Sequence, residues 1–218
     1  MIIKRIKLEN YTVFEDHQIE FDPGINIFIG ENGTGKTHLF KVLYSACQCV
    51  DQRVSFSHKL VSTMLPDDYK ISRLITRKQG NRSALIRILA GERDVTQERV
   101  LSASFHGKTK KWDAEVTGEK GWDEPESNIN PSYISIIVEL LLELQRKGVQ
   151  VFVSTHDYMI ASYFEVRKAK NDSIAFHSLS HVGKTCDLIY EKKEKFADLK
   201  NNAIVSAFDK LLDEIYDL

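Results

Sequence analysis

Eight residues, Gly30-Glu-Asn-Gly-Thr-Gly-Lys-Thr37, fit the pattern G-x-x-x-x-G-K-[ST] at every fixed position. Few short patterns restrict a fold so strongly, because this one works only between a strand and a helix. Both flanks are present. Ile25 to Ile29 reads as a compact strand after the turn Asp22-Pro-Gly24, and Leu39, Phe40, Leu43 and Tyr44 recur at helical spacing. In that context the glycines let backbone N–H groups curl round a β-phosphate, and the helix beginning near Lys36 turns its positive end toward the same anion. Lys36 supplies a point charge for the β- and γ-phosphates, and the Thr37 hydroxyl is a ligand for Mg²⁺. The expected nucleotide contacts are Gly30, Asn32, Gly33, Thr34, Gly35, Lys36, Thr37 and His38. The plain alternative is a glycine turn that holds nothing.

Composition permits such a chain to fold around a core. Its 218 residues are 42% hydrophobic and 28% charged, which excludes disordered and fibrous readings and predicts one domain, or one domain with a small insertion. The richest apolar window, Ile134 to Leu144, is broken by Ser135, Glu139 and Glu143, so no membrane span is expected. The N-terminus, Met1-Ile-Ile-Lys-Arg-Ile-Lys-Leu8, alternates like a strand and lacks the apolar run of a secretory signal; a cytoplasmic protein is expected. Cys47, Cys49 and Cys186 are too few for a disulfide framework and wrongly spaced for zinc, and read as reduced core thiols.

Along the chain, Ile2 to Leu8, Gln18 to Phe21 and Ile25 to Ile29 read as successive strands of a sheet. Ala84 to Ala90, Arg99 to Phe105 and Lys111 to Val116 read as an antiparallel meander. A largely buried helix is predicted over about Ser132 to Lys147, begun by Pro131 and stopped by Gly148, with Ser135, Glu139 and Glu143 as its wet stripe. Val149 to Ser154 reads as a strand, and Ala197 to Leu218 as an amphipathic helix with Ile204, Phe208, Leu211, Leu212 and Ile215 on one face. Net charge is −1, but Lys70 to Lys111 holds eleven Lys or Arg against three acids. That stretch is either a solvated set of faces and loops or, if clustered in space, a phosphate-facing patch.

Two further elements carry chemistry. In Asp123-Glu-Pro-Glu-Ser-Asn-Ile-Asn-Pro131 the adjacent carboxylates divide labour: Asp123 holds the metal through water and Glu124 polarises an attacking water. Taken alone, such a pair more often just faces solvent. In Ser154-Thr-His156-Asp157 a histidine at a strand end is placed to reach a γ-phosphate from the opposite side.

The order GENGTGKT, DEPESNINP, STHD resembles the ABC-type ATPase heads, in the branch with the SMC, RecF and OLD-like proteins and the bacterial AAA-family ATP-binding proteins. Lys7-Leu-Glu-Asn-Tyr-Thr-Val-Phe14 is similar to the same branch, in which the first strand and its loop lie against the adenine. The likeness runs from residue 1 to about 165. It implies residues 30–37 as the Walker A loop, Asp123 as the Walker B aspartate, Glu124 as the general base and His156 as the switch histidine. The implied fold is an α/β P-loop NTPase of ABC-ATPase type, a mixed sheet flanked by helices with an antiparallel β-subdomain at about 83–116, forming a single head over 1–218. The implied activity is Mg²⁺-dependent ATP hydrolysis, with dimerisation on ATP driving a DNA-, nuclease- or effector-related process.

The sequence departs from that pattern at one point. Thr117-Gly-Glu-Lys-Gly-Trp122 contains no apolar run to form the strand that delivers Asp123, and no signature segment of a helical lobe follows Val116; Leu89-Ala-Gly-Glu-Arg93 is only a look-alike at a meander strand. An internal deletion near residues 122/123 is the favoured explanation, ahead of a natural minimal head or a segment left out of the sequence. The consequence is an alternative function, a nucleotide-binding module without turnover. A small-molecule kinase ranks lower, lacking an Arg-rich lid, and a GTPase lower still, because no [NT]-K-x-D tetrapeptide occurs.

Overall fold

The computed structural model describes residues 2–49, 54–77, 83–91, 98–106, 134–181, 187–200 and 202–216. They divide into two compact units, Met1–Pro23 with Thr37–Gly121 and Gly24–Lys36 with Trp122–Leu218.

Strict alternation builds the first unit. β1 (Ile2–Tyr11) and β2 (Phe14–Glu20) form a tight hairpin, and β4 (Ser83–Gly91) and β5 (Glu98–His106) complete an antiparallel sheet in the order β2-β1-β4-β5; the strand between them in sequence, β3 (Ile25–Gly30), belongs to the second unit. Register places Ile19, Ile6, Ile88 and Leu101 in one row across all four strands, and each is buried. Their neighbours on the other face are wet: Lys7, paired with Asp16, lies opposite Arg87. Period two thus leaves one face apolar and the other charged, as a one-sided antiparallel sheet requires. α1 (Lys36–Gln48) buries Leu39, Phe40, Val42 and Leu43, and α2 (Phe56–Met64) buries Phe56 and Leu60. Cys47 and Cys49 are buried free thiols, and burial raises the Cys49 thiol to about 11 against the opposing charge of Lys59.

In the second unit the three parallel strands are buried on both faces, which is the pattern of a covered parallel sheet. β3 (Ile25–Gly30) lies between β6 (Val151–Thr155) and β7 (Ile174–His181), parallel to both, and β8 (Leu188–Lys193) closes the order β6-β3-β7-β8 antiparallel to β7. Ile25, Ile27, Ile29, Val151, Val153 and Phe176 pack against Val138, Leu141 and Leu142 of α3 (Ile134–Arg146) and Ile160 and Phe164 of α4 (Tyr158–Arg167). Burial of each such side chain contributes roughly 1.5–3 kcal/mol before ordering costs.

α3 ends where the chain predicts. Gly148 takes φ 87°, its N–H donates to Gln145 O, and the Val149 N–H donates to Leu144 O, the paired bonds of a left-handed glycine cap. Arg146 in the last turn then grips Asp172 with two bonds, 2.9 and 2.7 Å, fixing the approach to β7 and holding that carboxylate below its usual range.

The first three strands do not share a sheet: β1 and β2 pair with the meander strands, while β3 joins β6 and β7. Periodicity explains this, since β1 alternates and β3 does not. α3 is less buried than its composition predicts, with Ile136 and Leu140 61% and 58% exposed. α5 (Ala203–Tyr216) starts later than expected because the Asn202 side-chain oxygen Oδ1 caps the Ile204 and Val205 N–H groups, and its Leu211 and Ile215 face outward. The third meander strand, the Pro131 start and the junction at 122/123 lie outside the described residues. No helix among the described residues is long and apolar enough to cross a membrane.

Candidate functional site

β3 is buried along its whole length and delivers the glycine loop at its carboxyl end. The first loop residue has no room for a side chain: a Cβ on Gly30 would sit 2.0 Å from Leu179 O of β7. Glu31, Asn32 and Gly33 then turn into solvent, and Thr34, Gly35 and Lys36 return beneath them, buried, with Gly33 and Gly35 at φ 83° and 90°. Two donors converge on one carbonyl at the bend. Thr34 Oγ1 donates to Glu31 O at 2.9 Å, and Lys36 Nζ donates to Glu31 O at 2.9 Å and to Gly30 O at 2.7 Å. The ammonium, only 5% exposed as a residue, is thereby held over the mouth of the loop by carbonyl dipoles.

Such an arrangement is an anion site by construction. α1 begins at Lys36, directly after the loop in sequence, and the N–H groups of a helix's first turn have no intrahelical acceptor, which favours an anion there. No acidic residue occupies that first turn. The Thr37 side chain is exposed at the helix start. His38 is half-buried, its Nδ1 has no hydrogen-bond partner among the described residues, and burial, helped by the charge of Lys41, lowers its pKa and favours the neutral ring.

β6 runs parallel to β3 with Ile29 paired to Thr155, so Gly30 and His156 leave the sheet side by side at one end. That end is where ligands of parallel α/β sheets bind. His156 is exposed there, whereas Asp157 serves α4: its carboxylate accepts from the Met159 N–H at 2.7 Å as an N-cap, and its own N–H donates to Thr155 Oγ1. Asp123 and Glu124 lie outside the described residues. Of the basic stretch, Lys70 and Arg73 both reach Asp68, at 3.1 and 3.7 Å, while Arg77 is exposed and Lys78 lies outside the described residues.

The sequence reading passed over a polar chain beside the loop. His177 on β7 is fully buried; its Nε2 lies 3.0 Å from Asn26 Oδ1 on β3 and its Nδ1 lies 2.9 Å from Tyr190 Oη on β8. Because the Asn26 oxygen only accepts, the network assigns the proton to Nε2, and the Tyr190 hydroxyl donates to Nδ1. The imidazole also stacks on Phe28, centroids 4.4 Å apart. The available signal was an Asn inside Ile25-Asn-Ile27-Phe-Ile29 and a His inside an apolar strand.

Burial foremost, and then Lys192, keeps the His177 pKa well below 6.5 in the folded protein. The unfolded chain binds a proton near pH 6.5 and the folded one does not, so stability is full above that pH and falls as pH drops below it, by up to about 1.4 kcal/mol per pH unit. Urea denaturation from pH 7 to 5 is expected to show this slope in the wild type and a shallower one in His177→Phe. Parallel slopes would contradict the assignment.

Taken together, a glycine loop at the carboxyl end of a parallel sheet, in a chain that also holds an antiparallel sheet and helices, is similar to the ABC-type ATPase heads of the SMC and RecF branch. The chain belongs to the AAA domain family, which matches residues 5–217. A DNA replication and repair protein RecF from Streptococcus agalactiae serotype Ia is 34% identical over 88 residues, 40% of this chain and 24% of that protein. The chain thus spans about a quarter of that curated relative. Among solved structures, the SMC head domain from Thermotoga maritima shares the fold at TM-score 0.60 and 11% identity, covering 89% of this chain and all of that one. An SmcHead bound to the C-winged helix domain of ScpA does so at TM-score 0.63 and 9% identity, covering 90% and 99%.

Proposed function

We propose that the protein is a single ATP-binding head, spanning residues 1–218, that hydrolyses ATP with Mg²⁺. The observation that carries this reading is the loop itself: a buried Lys36 ammonium bonded to the Gly30 and Glu31 carbonyls, at the carboxyl end of the buried strand β3. On binding, Lys36 would exchange the carbonyls of Gly30 and Glu31 for β- and γ-phosphate oxygens; Thr37 and Asp123 would hold Mg²⁺, and Glu124 would polarise the attacking water. His156, which follows the strand paired with β3, would sense the γ-phosphate. Mg²⁺ supplies charge neutralisation at the transferred phosphoryl group.

A second reading, nucleotide binding without turnover, is favoured by a different observation. β6 stands at the edge of its sheet, and all five of its residues are buried as in a central strand, yet among the described residues no strand pairs with its outer side. A missing carboxylate-bearing strand would leave such an edge, and a head without that strand has nothing rigid to position its catalytic carboxylates.

Phosphate release separates the two. Glu124→Gln is expected to lower release about 100-fold while leaving Mg·ATP affinity in place, within the usual range for loss of a general base. Equal, background-level release from the wild type and the variant leaves the binding module.

Partners follow the same reading: a second copy of the chain on ATP binding, and a DNA, nuclease or effector partner in the cytoplasm. The relatives support the DNA link by name only. Lys70 and Arg73 engage Asp68, whereas Arg77, Arg87 and Arg99 are exposed in that stretch and are candidates for phosphate contacts; DNA affinity falling steeply with salt is the expected behaviour.

A further inference from the structure

Parallel strands that are buried on both faces have a weak point, which is register. Ile25, Ile27 and Ile29 repeat every second residue on the face toward α3 and α4, so sliding β3 by two positions would place isoleucine where isoleucine was. Hydrophobic burial on that face scarcely resists such a slip. The opposite face is different. Asn26 and Phe28 are unlike each other, and His177 reads both, bonding Asn26 diagonally and stacking on Phe28, its direct partner across the ladder. Tyr190 then ties the same ring to β8, in the row Gly30–Leu179–Tyr190 that begins the phosphate loop.

We infer that Asn26, His177 and Tyr190 form a register lock that positions the phosphate loop. A two-residue slip, or loss of the imidazole, leaves the fully buried Asn26 side chain without this partner, which is costly. What the lock protects is the height of Gly30 over Leu179. With 2.0 Å between that carbonyl and an added Cβ, only glycine fits at this level, and a two-residue slip would bring Phe28 or a loop residue there instead. Asn26, His177 and Tyr190 are therefore positioning residues, acting through the backbone of β3. The inference rests on the proposed nucleotide site, and its test includes an arm that needs no nucleotide.

His177→Phe keeps the ring volume and the stack on Phe28 but can bond neither neighbour. Its dissociation constant for Mg·ATP is expected to rise about tenfold or more, since small misplacements of a binding group are expensive. His177→Gln, which returns a donor toward Asn26, is expected to stay within about threefold of the wild type. Ile174→Val on the other face of β7, a mild destabiliser, is expected to bind as the wild type does. Without nucleotide, amide exchange at Ile29, Gly30 and Glu31 is expected to quicken in His177→Phe and to return in His177→Gln. If His177→Phe does not fold, Tyr190→Phe removes only the hydroxyl and is expected to weaken binding about threefold, with faster exchange at Gly30. Wild-type affinity and exchange in the Phe variants, or the same losses in Ile174→Val, would overturn the lock. Should the wild type itself bind no Mg·ATP, the functional reading fails, and the exchange arm alone decides: quickened and restored exchange upholds the positioning role, unchanged exchange removes it.

Discussion

Gly30→Ala is expected to cost about 3 kcal/mol or more of folding stability, the upper end for overpacking a filled site, because its Cβ would lie 2.0 Å from a backbone oxygen that cannot swing aside. Relief requires β3 to part from β7 at the row where the loop begins. Urea denaturation measures the loss directly, and Mg·ATP binding is expected to vanish with it. Gly33→Ala is the informative companion. A Cβ there meets nothing within 4 Å, and only φ 83° opposes it, so about 1–2 kcal/mol is expected. Equal losses at the two glycines would show that the close approach to Leu179 does not limit position 30.

Lys36→Ala is expected to weaken Mg·ATP binding about 100-fold, equivalent to nearly 3 kcal/mol, the scale of a charge-assisted contact to phosphate. The effect has two parts. One is the point charge itself; the other is the loop, because the same ammonium holds Gly30 O and Glu31 O. Thr34 Oγ1 still braces Glu31 O in the variant, so the bend survives and the fold should lose little. Lys36→Arg is expected to fail as a replacement, since a planar fork does not fit a buried point-charge position. Fluorescent-nucleotide titration checks all three proteins, and wild-type affinity in Lys36→Ala would remove the lysine from the site.

Much of this was legible in the order of residues. The glycine loop announced itself through its fixed positions and through the change from an apolar run to helical spacing around it. Gly148 marked the end of α3 because a left-handed cap all but requires glycine there. What local pattern could not supply was pairing. The alternation of β1 told its faces but not that its neighbours would be β2 and β4, and the apolar run of β3 did not reveal β6 and β7 on either side. The segment from Tyr158 to Lys193, which holds α4, β7 and β8, has neither a long clean period nor strong punctuation and went unread. His177 was hidden for a related reason. Its meaning depends on Asn26, 151 residues away in sequence, and on a register that only the assembled sheet defines.

Calorimetric titration of the wild-type chain with Mg·ATP puts the central claim under the most direct strain. Saturable single-site heat, absent from Lys36→Ala under the same conditions, is the predicted result. A flat thermogram for the folded wild-type chain, with no rise in its melting temperature at saturating nucleotide, would contradict it.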